Sequence, residues 1–533
     1  MDCSAPSPGI ASIGKKEPEQ LVAVSATTNP HMTRMVRNSL FSVMRFVVLL
    51  PLPLLVVPFM LGRLGDERFG VWAIVALFTS YTQLADFGMG LALTKYVAEY
   101  AAQKQWERLD MALNTVFFFY LLVGLVLATV ILLSRHVLAG FVPHASPALM
   151  QEIATVIGIT AITFAVNLTM GAFNSALQGL QRMDMTNLTS LGSGIGLYLG
   201  IVIVLALGGG LIGIAILSLV LALAAGSLNG IMTRRLAPHF RLRWRAFDAA
   251  YLRSVLSYSL NIQGGALTEL LFDPLSKLVI TRFLGIALVT QYEVGQRLIT
   301  QLRGLFAVAF LPLFPGVSHL HAEREQQAVR TVYQRSSRYV YLLGWPAYLL
   351  LIITAPWLLS AWLGPGYQQA AFVMRLMTCG WFISLVAFPP YMILQAMGQA
   401  HLCLRAHVVQ GLTNLTLALL LVGPFGFNGV TLAAFTALTI GSILVMIAFA
   451  QTLELSIGAL VRLAPWRAVG TAILSGAGLY VALLRLPHIT LLTLTALAAG
   501  YAVLYAGLLL AQGIVSQADR QLIRTLIPAR RGA

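Results

Sequence analysis

The fold is decided by residues 63–110, which read RLGDERFGVWAIVALFTSYTQLADFGMGLALTKYVAEYAAQKQWERLD. A short charged loop leads into an apolar run that is long enough for a membrane helix. One carboxylate, Asp86, interrupts that run in the triplet Asp86-Phe87-Gly88. A carboxylate at mid-helix costs about 2.5–3.5 kcal/mol on insertion scales, so it usually faces a protein interior or water. We therefore expect Asp86 to be functional. The alternative is that it hydrogen-bonds a neighbouring helix and only holds the bundle together.

The composition of the whole chain is that of a membrane protein. Hydrophobic residues make up 58% of the 533 residues and charged residues only 10%, whereas a soluble domain carries about 25% charged residues. Apolar runs of roughly 18 or more residues recur along the chain, without the alternation of β-barrel strands. The sequence therefore predicts an all-α polytopic membrane protein.

We expect about fourteen transmembrane helices, from the number and length of these apolar runs. They lie near residues 39–61, 70–100, 112–133, 153–179, 188–207, 211–233, 254–284, 287–316, 338–362, 370–397, 406–424, 429–452, 468–484 and 489–512. Very short connections join spans 5 and 6, 11 and 12, and 13 and 14. Each of these pairs must therefore be antiparallel neighbours.

Basic residues set the orientation of the spans. Most Lys and Arg residues fall on one side, above all in the loop 234–245, RRLAPHFRLRWR. The positive-inside bias makes that side cytoplasmic, so both termini are predicted to be cytoplasmic. Topology thus explains the formal net charge of +16, and no nucleic-acid partner is expected. The loop 234–245 is interpreted as a topology anchor that touches anionic lipid; the alternative is a regulatory role.

A weak internal repeat divides the chain. A shift of 220 residues places Lys104 on Arg324 and Trp72 on Tyr292, and polarity and spacing agree across six spans. Both halves have six spans and begin on the same side, so they are parallel repeats. Such repeats place a binding site between two helical bundles.

Four regions follow from these features. We predict a disordered tail at 1–31, because that segment is rich in Ser, Pro, Ala and Thr. Two six-helix lobes are expected at 32–235 and 236–454. An appended helix pair with a basic amphipathic cytoplasmic tail is expected at 455–533. The three cysteines of the chain imply no disulfide framework.

Ionisable residues inside the predicted spans are the candidate site residues. Glu269, Asp273 and Lys277 are spaced by four and share one helical face, and Glu293 and Arg297 can pair in the same way. Basic residues outnumber acids in the full set, which favours an anionic substrate. The six basic residues are Arg45, Lys95, Lys277, Arg297, Arg303 and Arg375, and the four acidic residues are Asp86, Glu269, Asp273 and Glu293. Arginine suits phosphate because it forms bidentate bonds. The alternative is a set of internal ion pairs, Lys277 with Glu269 or Asp273 and Glu293 with Arg297.

Two groups of residues are assigned roles on this basis. The residues expected to line a cavity and bind substrate are Arg45, Lys277, Arg297 and Arg303. The residues expected to couple transport to protons or Na⁺ are Asp86, Glu269, Asp273 and Glu293. Arg45 has no acidic residue within four positions, and Arg303 lies about 120° around the helix from Arg297.

Signatures of catalysis are absent from the sequence. The chain has no P-loop, nucleophile elbow or zincin motif. We therefore expect a protein that is not an enzyme, with no catalytic residue, metal site or cofactor.

Three stretches carry a family resemblance. The runs FGVWAIVALFTSYTQLADFGMGLALTKYVAEYAAQ, FDPLSKLVITRFLGIALVTQYEVGQRL and LPLFPGVSHL resemble matching spans of the polysaccharide-transport branch of the multidrug/oligosaccharidyl-lipid/polysaccharide (MOP) exporter superfamily. The resemblance covers nearly all of residues 35–455. It implies two lobes in a V, alternating access, and flipping of a polyprenyl-pyrophosphate-linked oligosaccharide across the bacterial inner membrane, for exopolysaccharide, O-antigen or capsule biosynthesis.

The resemblance also sets the expected partners and the competing functions. It implies a lipid-linked oligosaccharide substrate, membrane lipids and a polysaccharide polymerase as partners. The architecture is similar to that of the lipid II flippase, which places arginines in spans 1 and 8, where Arg45, Arg297 and Arg303 fall. One alternative is a cation-coupled drug or metabolite antiporter of the same superfamily, which would favour an acidic cavity. A second alternative is a membrane scaffold or polymerase partner that transports nothing.

Overall fold

The computed structural model describes residues 48–514, apart from residues 144, 264–265, 311–312, 457, 459–461, 463 and 487. Within that part, the side chains at 78–81, 83–84, 257–263, 266–273, 315 and 319 are also outside the description. Arg45 and the tail 1–31 therefore lie outside the described residues, and so do the side chains of Glu269 and Asp273.

The described chain is a succession of helices joined by short turns. The helices are α1 (Leu52–Ala85), α2 (Met89–Ala102), α3 (Trp106–Ala139), α4 (Pro147–Gly179), α5 (Met183–Ala206), α6 (Gly210–Leu236), α7 (Ala249–Gln263), α8 (Ala266–Leu284), α9 (Ala287–Phe310), α10 (Leu313–Ala322), α11 (Gln326–Tyr339), α12 (Trp345–Leu363), α13 (Gln368–Val386), α14 (Phe388–Ala396), α15 (Ala400–Thr452), α16 (Trp466–Arg485) and α17 (Leu491–Ala511). A 3₁₀ turn lies at Trp244–Ala246 and a π-helical turn at Val340–Gly344.

The predicted all-α, multi-pass architecture is confirmed. Among the described residues, nine helical segments are long and apolar enough to cross a membrane. One of them, α15, has 53 residues and bends at Gly426, where the sequence predicts the turn between spans 11 and 12. Helix α1 likewise consists of two segments that meet at Gly65, whose backbone has φ 73° and ψ 170°. The count of fourteen spans and the boundaries of the four regions stay predictions.

The internal repeat extends to the backbone. Lys104 and Arg324, which the 220-residue shift superimposes, both adopt left-handed conformations, with φ of 57° and 60°. Each lies in the turn before a helix, α3 in the first lobe and α11 in the second. Gly65 and Gly285 match in the same way, with φ of 73° and 98°. Equivalent turns thus flank equivalent helices in the two halves.

A proline inside α1 is compensated by the second lobe. Pro58 has no N–H, so the carbonyl of Leu54, four residues earlier, loses its helical partner. The indole Nε1 of Trp362 donates a hydrogen bond to that carbonyl at 2.8 Å. A backbone group left unpaired in lipid costs several kcal/mol, so this bond ties α12 to α1.

Pro356 in α12 creates the same problem within the second lobe. It frees the carbonyl of Ile352, and Nε of Arg375 on α13 donates to that oxygen at 3.3 Å. Arg375 is one of the basic residues predicted inside a span. Its contact with a carbonyl that a proline has freed gives it a structural role.

The C-terminal helix pair is attached through a third proline. Pro346 frees the carbonyl of Leu342 in the π-helical turn, and the hydroxyl of Tyr505 on α17 donates to it at 3.0 Å. Tyr501, one turn earlier, donates to the carbonyl of Pro346 at 3.2 Å. Helices α16 and α17 therefore pack against the segment from α11 to α12.

The two lobes contact each other at the end where the turns at Gly65 and Gly285 lie. The hydroxyl of Thr290 on α9 donates to the carbonyl of Asp66 at 2.6 Å, and the hydroxyl of Tyr367 donates to the Asp66 carboxylate at 3.3 Å. Residues of α1, α8 and α9 share one buried apolar cluster.

The helices of the predicted span 7 pack on different lobes. In α7, Val255 is buried in the apolar cluster of the first lobe, and the Tyr251 ring lies 5.9 Å from that of Tyr96. In α8, Ser276 is hydrogen-bonded to Asn414 of α15 in the second lobe. The chain therefore passes from one lobe to the other between α7 and α8.

Gly70 lets the lobes approach closely, and substituting it tests their contact. A Cβ at this position would lie 2.3 Å from the carbonyl oxygen of Ile286. We expect Gly70→Ala to destabilise the protein by about 1–3 kcal/mol, the usual cost of overpacking, and to lower the melting temperature of purified protein. Gly62→Ala is the matched control, because a Cβ there has no neighbour within 4 Å. Equal melting temperatures for the two variants would contradict this account.

Candidate functional site

Asp86 lies at a break between two helices. Helix α1 ends at Ala85 and α2 begins at Met89. Between them, Phe87 and Gly88 have left-handed backbones, with φ of 50° and 71°. Non-glycine residues rarely adopt such a conformation, so the break is a specific feature of this chain. Discontinuous helices of this kind line ion and substrate sites in transporters.

The carboxylate of Asp86 satisfies groups on two helices. It accepts hydrogen bonds from the backbone N–H of Gly90, at 3.1 and 3.3 Å to its two oxygens. It also accepts one from the hydroxyl of Tyr120, a buried residue of α3. The negative charge thus sits at the N-terminus of α2, where the helix dipole stabilises it. The hydrogen bond to a neighbouring helix, which was the structural alternative for Asp86, is present in the molecule.

A second polar group lies one turn before the break. The Thr82 hydroxyl is buried and has no hydrogen-bond partner in the described part of the chain. Buried hydroxyls are normally hydrogen-bonded, so such a group indicates a place for water or an ion.

In the second lobe, the structure brings together three of the predicted site residues. Glu293 accepts from the Lys277 ammonium at 2.7 Å through one oxygen and from Nη1 of Arg297 at 3.0 Å through the other. The side chains of Lys277, Glu293 and Arg297 are 6, 14 and 18% exposed. The predicted pairing of Glu293 with Arg297 is present, and Lys277 joins them from the neighbouring helix α8. One carboxylate therefore serves two cations among the described side chains.

Arg297 extends from this cluster to the other lobe. Its guanidinium carbon lies 5.8 Å from the ring centroid of Trp72 in α1. Its buried Nε has no hydrogen-bond partner among the described residues. Arg297 lies ten residues into α9, about 15 Å along the helix from its start. A buried guanidinium N–H without an acceptor is costly, which makes this position suitable for an anionic ligand.

Arg303 lies apart from this cluster. Its guanidinium carbon is 4.3 Å from the ring centroid of Trp381, within the second lobe. It lines a small cavity there together with Tyr391, His407 and Gln410. The angular separation expected from a six-residue spacing is thus observed, because Arg297 turns towards the first lobe and Arg303 towards the interior of its own.

Two aromatic residues of the site were not predicted from the sequence. Trp72 was noted only as the repeat partner of Tyr292, and Tyr120 sits in an apolar run that gives no sign of a role. A Trp or Tyr within a span is ordinarily a packing residue. Their contacts with Arg297 and Asp86 depend on neighbouring helices, which the sequence alone does not place.

The fold defines the class of protein. An inward-facing multidrug resistance MATE family transporter of the MOP superfamily superimposes with a TM-score of 0.64, 14% identity, and coverage of 78% of this chain and 96% of that one. The lipid II flippase MurJ, in an inward closed conformation, superimposes with a TM-score of 0.62 and 13% identity. The match covers 84% of this chain and 98% of that one. The chain therefore has the all-helical MOP transporter fold.

The family follows from the sequence match. The family described as "Polysaccharide biosynthesis protein" matches residues 60–372, more than half of the chain. The chain belongs to this family, in the polysaccharide-transport branch of the MOP exporter superfamily, and the predicted resemblance is confirmed.

Relatives with curated names agree with this assignment. The protein named "Probable low-salt glycan biosynthesis flippase Agl15", from Haloferax volcanii, is 25% identical over 193 residues. That match spans 36% of this chain and 41% of the relative. The uncharacterized membrane protein EpsK of Bacillus subtilis is 21% identical over 383 residues, spanning 70% and 75% of the two chains.

The cap that Asp86 provides to α2 can be tested through stability. Asp86→Ala removes the acceptor for the Gly90 N–H, and loss of such a cap costs about 0.5–2 kcal/mol. Asp86→Asn keeps an acceptor oxygen at the same position. We expect the Ala variant to melt below the Asn variant when purified protein is heated in detergent. A melting temperature as low for Asn as for Ala would show that the charge matters rather than the cap.

Proposed function

We propose that this protein flips a polyprenyl-pyrophosphate-linked oligosaccharide across the bacterial inner membrane by alternating access. The observation that carries the proposal is Arg297, a partly buried arginine of α9 whose buried Nε has no hydrogen-bond partner among the described residues. The family and the names of relatives support a flippase or MOP transporter. The diphosphate of a lipid-linked glycan is the anion that this arginine would bind.

The chemistry of Arg297 suits a ligand that must also leave. Glu293 holds Nη1 of the guanidinium at 3.0 Å, so the side chain is oriented and its charge is partly offset. A fully unopposed arginine would bind a diphosphate too tightly for release, whereas a lysine would lack the planar fork. An oriented and partly neutralised guanidinium gives moderate, reversible binding.

The position of Arg297 also links binding to lobe movement. Its guanidinium lies over Trp72 of the first lobe, while its ion pair belongs to the second. A ligand that bound Arg297 would compete with the contact to Trp72 and so favour a different arrangement of the lobes. A ligand shifts a conformational equilibrium only by such a difference in contacts.

A cation-coupled antiporter is the second candidate, and Asp86 favours it. Carboxylates at broken helices can bind protons or Na⁺, and a charge that crosses the full membrane field contributes about 2.3 kcal/mol per 100 mV. Ion coupling is also compatible with the first proposal, because ion movement through Asp86 would drive flipping. We assign coupling to Asp86, with Glu293 held in its ion-pair cluster.

The orientation and partners of the protein belong to the same proposal. We place both termini in the cytoplasm, because most basic loops lie on one side. A polysaccharide polymerase is the proposed consumer of the flipped glycan. We assign the protein no catalytic step, in keeping with relatives and neighbours that are named as flippases and transporters.

The coupling proposal predicts a specific loss in Asp86→Asn. Flipping of a labelled polyprenyl-diphosphate lipid in proteoliposomes should respond to an imposed proton or Na⁺ gradient in the wild type. In Asp86→Asn the gradient should no longer accelerate flipping, because the amide neither titrates nor carries charge. Tyr120→Phe is the control, since it removes one hydrogen bond but keeps the carboxylate. An unchanged gradient response in Asp86→Asn would rule out Asp86 as the coupling residue.

The binding proposal predicts the behaviour of Arg297 variants in the same assay. A hydrogen bond to a charged group contributes about 1.5–3 kcal/mol, so Arg297→Ala should slow flipping roughly 10- to 100-fold, and Arg297→Lys should restore part of the rate. Arg335→Ala, at an exposed position of α11, is the charge-matched control and should flip normally. Full activity in a Glu293→Gln/Arg297→Gln double variant would show that Arg297 serves only the ion pair.

A further inference from the structure

The basic segment 237–248, which joins α6 to α7 and is called the linker below, is fixed on the first lobe by buried polar side chains. The carboxylate of Asp110 accepts a hydrogen bond from the backbone N–H of Arg241 at 3.0 Å. The Asn114 amide accepts from the N–H of Arg243 at 2.8 Å and donates to the carbonyl of Arg241 at 3.0 Å. Asn114 is fully buried. The basic segment that the sequence predicts to be a topology anchor thus has a backbone held by specific hydrogen bonds.

The fixed linker closes one side of a cationic cavity. The cavity has a volume of about 920 Å³ and lies between the linker and the turn that precedes α3. Its charged lining residues are Lys104, Glu107, Arg108, Asp110, Arg243 and Arg245, with His239 beside them. Asp110 is already engaged by the linker backbone and lies 3.6 Å from the Arg243 guanidinium. Cations outnumber acids, so the cavity suits a phosphate group.

An aromatic cleft adjoins this cavity. The cleft has a volume of about 370 Å³ and is lined by Phe118, Trp244, Arg245 and Phe247. Arg245 lines both spaces. Phe118 belongs to α3, a segment apolar enough to cross a membrane, while Trp244 is 73% exposed. Exposed tryptophan next to arginine is typical of the boundary between lipid and water.

We propose that these two spaces form one site for an anionic phospholipid of the leaflet on the side of the basic loops. The phosphate head would occupy the cationic cavity, and an acyl chain would run along the aromatic cleft towards Phe118. A soluble phosphate compound would use the cavity but not the cleft. The site is independent of the substrate assigned above, because it lies on the linker and α3 rather than at Arg297.

The proposal is tested on delipidated, full-length protein in detergent. Binding of phosphatidylglycerol is measured by native mass spectrometry, with phosphatidylcholine and inorganic phosphate as comparison probes. The test variant is Arg243→Gln/Arg245→Gln. The control is Arg234→Gln/Arg235→Gln, which removes the same charge from exposed residues just before the linker. Arg245→Gln alone is a second variant, because Arg245 makes none of the linker hydrogen bonds described above.

The wild type and the control should bind phosphatidylglycerol alike and prefer it to phosphatidylcholine. Each arginine near an anionic headgroup contributes about a fivefold gain in affinity, so the double variant should bind about 30-fold more weakly and Arg245→Gln about fivefold. Trp244→Ala should also weaken the binding of phosphatidylglycerol while leaving the binding of inorganic phosphate unchanged. Equal losses in the test and control variants would overturn the proposal, since they would indicate a diffuse charge effect. The proposal would also be overturned if inorganic phosphate competed for the site as well as the lipid does. That result would indicate a site for a soluble anion.

Discussion

Backbone polar groups inside a bilayer must find partners within the protein, and this constraint governs the structure. A continuous helix meets it by itself, whereas a bent or broken helix does not. Pro58 removes one such bond, and Trp362 of the other lobe replaces it. The carboxylate of Asp86 likewise accepts a hydrogen bond from the backbone N–H of Gly90, at the break between α1 and α2. At Pro58, Pro356 and Pro346, the departure from a regular helix is thus matched by a hydrogen bond from a neighbouring helix.

These replacement contacts are also what joins the parts of the molecule. The indole of Trp362 ties the second lobe to α1, and the hydroxyl of Tyr505 ties the C-terminal pair to the second lobe. A bond of this kind can be exchanged for water or another donor when the helix moves. A transporter built from kinked helices thus carries its lobe contacts at the positions where the helices bend.

Charges buried in the spans follow a related rule. Lys277 and Arg297 share the carboxylate of Glu293, so each cation is oriented and partly neutralised. Breaking such a group is expensive, but its net benefit to stability is small because desolvation offsets the attraction. Groups of this kind are therefore better explained by function than by stability. The contact of Arg297 with Trp72 places this one where the two lobes meet.

The sequence by itself determined the all-α membrane class, the family, the repeat and the pairing of Glu293 with Arg297. The length of apolar runs, the distribution of basic loops and a spacing of four residues are local properties of the chain. They can therefore be recognised without knowing which helices are neighbours. Only the tertiary structure showed that Tyr120 hydrogen-bonds to Asp86, that Trp72 contacts the guanidinium of Arg297 and that Lys277 pairs with Glu293. It also separated Arg303 from Arg297 and fixed the basic linker on Asp110 and Asn114. These contacts join residues distant in the chain, and helix packing in lipid depends on shape and hydrogen bonding rather than on a hydrophobic pattern that a sequence displays.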